Sequence, residues 1–134
     1  LGRFGLAQRI GLLKALRDQG WGLVVAGSSV RYRARIRPFQ RFELRTRLIG
    51  WDERFFYIEQ AMFKRSGEAA SHVLIRSAIT SAAGIVPPEQ IARALGHDGP
   101  SPALPDWVAA WARADATRPW PPMQDGHDAT SRAA

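Results

Sequence analysis

The sequence predicts an α+β fold, with one long helix at the N-terminal end followed by an antiparallel sheet. Three observations carry this expectation. Apolar residues recur at helical spacing through residues 1–18. From Gly22 the period changes to two and persists through three long segments. Short turns join those segments, which is the pattern of an antiparallel meander. No other large apolar surface is visible, so the sheet has to wrap the helix for both to bury their apolar sides.

In the helical segment Leu6, Ile10 and Leu13 fall at i, i+4 and i+7, and Leu12 and Leu16 widen the stripe. Gly2, Gly5 and Gly11 each cost about 1 kcal/mol against Ala in a helix, which points to another backbone close by. Gly20 supplies the stop. No N-cap residue precedes the pattern at Leu1, so further sequence upstream is expected. A strand follows over 23–35, kinked at Gly27. Ile36-Arg37-Pro38-Phe39 breaks it. Arg41 to Ile49 alternates, with Phe42, Leu44, Thr46 and Leu48 on one face and Arg41, Glu43, Arg45 and Arg47 on the other. Gly50-Trp51-Asp52-Glu53 reads as a turn, and Arg54 to Lys64 as an aromatic strand. Ser66-Gly67 is a tight turn. Ala69 to Thr80 is the next strand, with Val73, Ile75 and Ile79 on one face. Pro87 and Pro88 open a short helix through Leu95. After a loop over Gly96–Pro102, Asp106 to Ala114 reads as a second short helix bearing Trp107 and Trp111. The Pro-, Asp- and Ala-rich stretch from Thr117 reads as disordered. The domain expectation is therefore 1–96 for the α+β domain, 97–116 for a loop and short helix, and 117–134 for a tail.

Composition narrows the function classes. A chain of 134 residues with 46% hydrophobic and 23% charged residues reads as one soluble globular domain. No apolar run approaches the roughly 18 residues of a membrane span. Arg3 and Arg9 interrupt the only N-terminal apolar segment, so no signal peptide is read. The absence of cysteine removes disulfides, thiolate metal sites and a cysteine nucleophile, and fits a reducing, cytoplasmic setting. The net charge is +7, and Lys14 and Lys64 are the only lysines. Arg grips phosphate bidentately, although an Arg- and Ala-rich genome would give the same bias. Between Ser28 and Arg54 there are eight Arg against Glu43, Asp52 and Glu53.

Several stretches resemble hotdog-fold acyl-CoA thioesterases, the 4-hydroxybenzoyl-CoA thioesterase superfamily. They are Val30-Arg31-Tyr32, the bend at Ile36 to Phe39 with Pro38, and Phe42-Glu43-Leu44-Arg45-Thr46. Phe55 to Phe63, Gly67-Glu68, Ala69 to Arg76 and Gly84 to Pro88 are similar to the family's last strands and exit segment. Gly50-Trp51-Asp52 is similar to a branch with a Trp-Asp turn. The resemblance covers about residues 1–95. It implies one long central helix wrapped by an antiparallel sheet, an acyl-CoA or other acyl thioester as substrate, and no cofactor beyond the coenzyme A the substrate carries. It also implies sites between subunits, hence a homodimer with a continuous sheet, and leaves a tetramer open. Relatives carry a first strand and a loop with Asp or Asn before the long helix. This chain begins after that point, so the main catalytic carboxylate is expected upstream of Leu1.

Each candidate residue has a functional reading and a plainer one. Arg31, Arg33 and Arg35 would share a strand face, with Arg37 beyond, and form a cradle for coenzyme A phosphates. A solvated face guarding an edge strand explains them equally simply. Gly2 and Arg3 stand at the helix N-terminus, whose free N–H groups would hold an oxyanion, or simply start the helix. Glu59 is the better-placed carboxylate of Glu43 and Glu59, because burial among aromatics would raise its pKa. It is otherwise a structural strand residue. Phe4, Ser28, Tyr32 and Tyr57 are the candidates for an acyl pocket, and core or dimer packing is the plainer reading of the aromatics. His72 in a strand reads as a satisfied histidine. No His-x-x-x-His or Cys pair suggests zinc. No Gly-x-Ser-x-Gly elbow or Gly-rich phosphate loop is present.

Two rival readings remain. A non-catalytic hotdog scaffold or partner protein would need no carboxylate. A nucleic-acid-binding module would use basic, aromatic-bearing strands. Phe42 and Leu44 facing away from Arg41, Arg45 and Arg47, with Glu43 interrupting the basic face, argue against a stacking platform.

Overall fold

A computed structural model of the chain describes residue 14 and residues 16–126. Apart from its last turn, the helix expected over 1–18 lies outside the described residues. Residues 16–19 are helical, and Gly20 follows with φ 67°. Gly20 N donates to Arg17 O at 3.4 Å and Trp21 N to Leu16 O at 2.8 Å. This pair of bonds is a Schellman stop, which needs the left-handed conformation that glycine adopts without penalty.

Five strands follow: β1 Gly22–Tyr32, β2 Phe42–Trp51, β3 Phe56–Lys64, β4 Ala69–Ser81 and β5 Gly84–Val86. Two helices close the chain, α1 Pro88–Ala94 and α2 Asp106–Ala116. The sheet order is β1-β4-β3-β2, with β5 paired to β4, and every pairing is antiparallel. The chain divides into two compact units, Leu1–Leu104 and Pro105–Ala134. The first carries the sheet and α1. The second carries α2, which runs two residues beyond the expected end at Ala114.

Two strand ends differ from expectation. β1 stops at Tyr32, not Arg35, because the amides of Arg33 and Ala34 both turn to Ala70 O, at 2.9 and 3.1 Å, instead of continuing the ladder. β2 runs through Gly50 and Trp51, which were expected in a turn. The turn proper lies at 52–55, where Asp52 N donates to Phe55 O at 2.9 Å. Gly50 has a steric reason to be glycine. A Cβ there would stand 2.7 Å from Ser101 Oγ and 3.0 Å from Leu104 Cδ2. The same Ser101 Oγ accepts from Trp51 N at 2.8 Å.

Register fixes which side chains share a face. The expected kink at Gly27 is a bulge between Val25 and Gly27, and a second irregularity lies between Leu48 and Gly50. Leu48, Ile58, Ile75 and Ser28 form one cross-strand row, and Leu44, Met62, Ser71 and Tyr32 another on the same face. One buried cluster lies on this face: Trp51, Phe56, Ile79, Val86, Ile91 and Ala92 are buried together, with Leu16, Trp21, Leu48 and Leu95 packed against them, while Tyr57, Leu74 and Ala78 are buried on the other face. The opposite face carries the rows Arg47–Glu59–Leu74–Ser29 and Arg45–Ala61–His72–Arg31.

Candidate functional site

The chain leaves β1 at Tyr32 and crosses the end of the sheet, and there it borders a cavity of about 550 Å³. Met62 and Ser71 reach it from β3 and β4, in the row that ends at Tyr32. Ala70, Ala34 and Ile36 add apolar lining, while Arg33 and Arg35 bring two guanidinium groups. Both arginines and Tyr32 are exposed, and Ile36 is half-buried. The site is thus an open, mostly apolar hollow with cationic groups at its border. Such a lining suits an amphipathic, anionic molecule.

The predicted phosphate cradle is only partly assembled. Arg33 and Arg35 meet at the cavity. Arg31 belongs to the opposite sheet face, in the row of His72 and Arg45. Arg37 lies in the following turn, outside the lining. Among the predicted acyl-pocket residues, Tyr32 borders the cavity. Ser28 shares its face but lies further along β1. Tyr57 is on the other face and wholly buried. Gly2, Arg3 and Phe4 lie outside the described residues.

Glu59 sits in a three-residue network facing away from the cavity. It is Arg47's cross-strand partner, and Arg47 Nε donates to its Oε1 at 2.5 Å. His72 Nε2 stands 2.8 Å from the other oxygen. An ionised carboxylate only accepts, so that nitrogen carries the proton. Burial works to raise the Glu59 carboxyl, but hydrogen bonds from His72 and Arg47 and the guanidinium charge outweigh it and hold the group below its usual range. This corrects the expected upward shift. Tyr57 shares its side of the strand, but so do Arg47 and His72, and their hydrogen bonds decide the direction. The network presents an ionised carboxylate with an oriented imidazole.

A second polar cluster locks the hairpin between β2 and β3. Asp52 Oδ1 accepts from the amides of Arg54 and Phe55 at 2.9 and 2.8 Å. Its Oδ2 accepts from Tyr57 Oη at 2.6 Å, and Arg76 donates to the same hydroxyl at 3.2 Å. Burial and the Asp52 hydrogen bond push the Tyr57 phenol up, against the pull of Arg76. The Arg76 guanidinium also lies 4.8 Å from the centre of the Phe55 ring. Asp52 and Tyr57 therefore serve the hairpin's architecture, and that is the physical content of the Gly50-Trp51-Asp52 motif.

Sequence reasoning passed over Met62, Ser71 and the His72–Glu59 contact. No local signal could have found them, because each depends on strand register. Among the described residues, no group of three or more His, Asp or Glu side chains could hold a metal ion. No described helix is long and apolar enough to cross a membrane.

An antiparallel sheet with the end of a helix packed on one face, and a helix after the last strand, is the hotdog form of the α+β class. The chain belongs to the thioesterase-like superfamily, whose family model matches residues 1–112. It is 32% identical over 111 residues to Protein THEM6 of Xenopus laevis, covering 83% of this chain and 53% of that protein. It is 40% identical over 73 residues to Protein THEM6 of Danio rerio, covering 54% of this chain and 36% of that protein. The chain thus spans about half, or less, of the length of these curated relatives. Among solved structures it is similar to the hypothetical protein SAV2348 of Staphylococcus aureus in complex with CoA, with TM-score 0.56 and 14% identity over 76% of this chain and 72% of that one. It is also similar to the DHNA-CoA thioesterase of the same organism, with TM-score 0.53 and 16% identity over 83% and 70% of the two chains. At these identities the structural likeness speaks for the fold.

Proposed function

We propose that this chain binds acyl-CoA thioesters at the cavity beyond β1 and hydrolyses them. Water would add at the thioester carbonyl, the C–S bond would break, and a free acid and coenzyme A thiol would leave. The observation that carries this reading is the cavity itself, where Arg33 and Arg35 border a lining of Ile36, Met62 and Ala70. Guanidinium groups suit coenzyme A phosphates, and an apolar lining suits an acyl or pantetheine chain. Arg31 and Arg37 would add positive potential rather than direct contacts. The CoA complex of the similar SAV2348 protein supports the same chemistry. Gly2 and Arg3 keep the proposed oxyanion role. Glu59 is the described carboxylate to test as a base. The working unit is proposed to be a homodimer, since β1 is an edge strand that exposes Leu23, Val24, Val25 and Val30.

The test is thiol release from short, long and aromatic acyl-CoA esters, run beside coenzyme A binding and light scattering. Turnover by a dimer is expected. Replacing Arg33 and Arg35 with Gln is expected to weaken coenzyme A binding roughly tenfold or more, the effect of losing charge-assisted hydrogen bonds. Loss of turnover in Glu59→Gln with binding retained would make Glu59 the base. Binding without turnover in the parent would leave a non-catalytic acyl-thioester binder. Folded protein that neither binds nor hydrolyses would sink the proposal.

A further inference from the structure

The connection between β1 and β2 holds an aromatic side chain where the backbone disfavours one. Gln40 N donates to Arg37 O at 3.0 Å and closes a four-residue turn over Pro38 and Phe39. Phe39 has φ 64°. Pro38 fixes a negative φ just before it, so the turn is type II, a class that ordinarily places Gly or Asn at this third position. Gln40 Oε1 clamps the turn a second time, accepting from Arg37 N at 2.9 Å. A residue with a Cβ is strained in this conformation, and packing does not compensate, because Phe39 has a relative exposure of 105%. A strained, fully presented aromatic ring points to a partner outside the chain.

Charge says which kind. From Gln19 to Phe42 the chain has five arginines, at 31, 33, 35, 37 and 41, and no Asp or Glu. Among the described residues, none of the five takes part in an ion pair. We propose that the turn over residues 37–41 docks the protein on an anionic lipid bilayer, with Phe39 entering the interfacial layer and Arg37 and Arg41 lying at the headgroup phosphates. Arginine suits that position because its stem can follow apolar surface while its head stays with phosphate. A strand of nucleic acid would instead call for several aromatic faces in series along a groove. Here one ring projects from the tip of a turn. The cavity begins at Ile36, the residue before this turn, so docking would bring its border toward the membrane.

The experiment is vesicle flotation of the 134-residue chain, using phosphatidylcholine alone or mixed with phosphatidylserine. Binding is expected on the mixed vesicles only, and salt should weaken it. Phe39→Gly, which suits the turn's backbone, is expected to lower vesicle affinity about tenfold or more through the lost apolar contact. Arg41→Gln is expected to lower it about fivefold. Phe39→Trp should restore binding. Coenzyme A binding should be unchanged in Phe39→Gly, which separates this proposal from the cavity reading. Parent protein that ignores anionic vesicles, or Phe39→Gly that binds them as tightly, would overturn the proposal. Binding of an oligonucleotide that is lost in Phe39→Gly, with no vesicle binding, would overturn it in favour of nucleic acid.

Discussion

The Asp52–Tyr57 contact makes a quantitative prediction about what holds the β2–β3 hairpin. Tyr57 is fully buried, so no water can replace its partner if Asp52 is removed. Its hydroxyl donates to Asp52 Oδ2 at 2.6 Å, within the short range of charge-assisted bonds. Tyr57→Phe deletes that bond and the one Arg76 donates to the same hydroxyl, but leaves Asp52 its two backbone donors, so a loss of about 1.5 kcal/mol is expected. Asp52→Ala deletes all three bonds of the carboxylate and leaves the buried hydroxyl's proton without its acceptor, although Arg76 still donates to its oxygen, so about 3 kcal/mol is expected. The double variant should then cost less than the sum by about 1–2 kcal/mol, because the second change removes a partner already lost. Urea unfolding at pH 7, with midpoints compared at an unchanged slope, measures all three differences. Additivity within about 0.5 kcal/mol would show that the hydroxyl and carboxylate are not coupled. In that case the hairpin would owe its stability to packing around Trp51 and Phe56 alone.

Other outcomes follow from the same geometry. Gly50→Ala should destabilise by about 1–3 kcal/mol, as overpacking does, since the new methyl meets Ser101 and Leu104; a thermal midpoint equal to the parent's would contradict the close approach. Glu59 has its pKa lowered in the fold, so its contribution is present above the ordinary carboxylate value of about 4.5 and is lost as pH falls through the folded value. Glu59→Gln should therefore flatten the acid limb of stability against pH, and an unchanged limb would count against the Arg47 and His72 contacts. Tyr57 has its pKa raised, so its contribution is intact below about 10 and declines as pH rises beyond that; Tyr57→Phe should abolish that alkaline decline. Phe39→Gly should leave the thermal midpoint unchanged or higher, since relief of about 1 kcal/mol of left-handed strain offsets the entropy of glycine. A clear drop would mean that Phe39 packs in solution.

Alternation in sequence carries face information only when strand ends and bulges are known. Phe42, Leu44 and Leu48 against Arg45 and Arg47 separated cleanly in β2, and the register keeps them on opposite faces as expected. The same logic misplaced Arg33 and Arg35, because nothing local says that their segment will abandon the ladder for Ala70 O. The break at Ile36 to Phe39 was legible from Pro38, yet the positive φ of Phe39 was not, since residue preference argues against it.

The candidate site divides along the same line. The sequence by itself determined the α+β class, the order and rough bounds of the strands, the stop at Gly20 and the basic character of residues 31–41, because each rests on near neighbours in the chain. Only the tertiary structure decided that Arg33 and Arg35 meet Met62 and Ala70 at a cavity while Arg31 and Tyr57 belong to the other face. It also decided that Arg47 and His72 bond the Glu59 carboxylate, contacts that outweigh its burial. The physical reason is that a strand sends adjacent side chains to opposite faces. A residue's chemical surroundings are then set by partners a dozen or more positions away, which hydrogen-bond register brings together and chain order does not reveal.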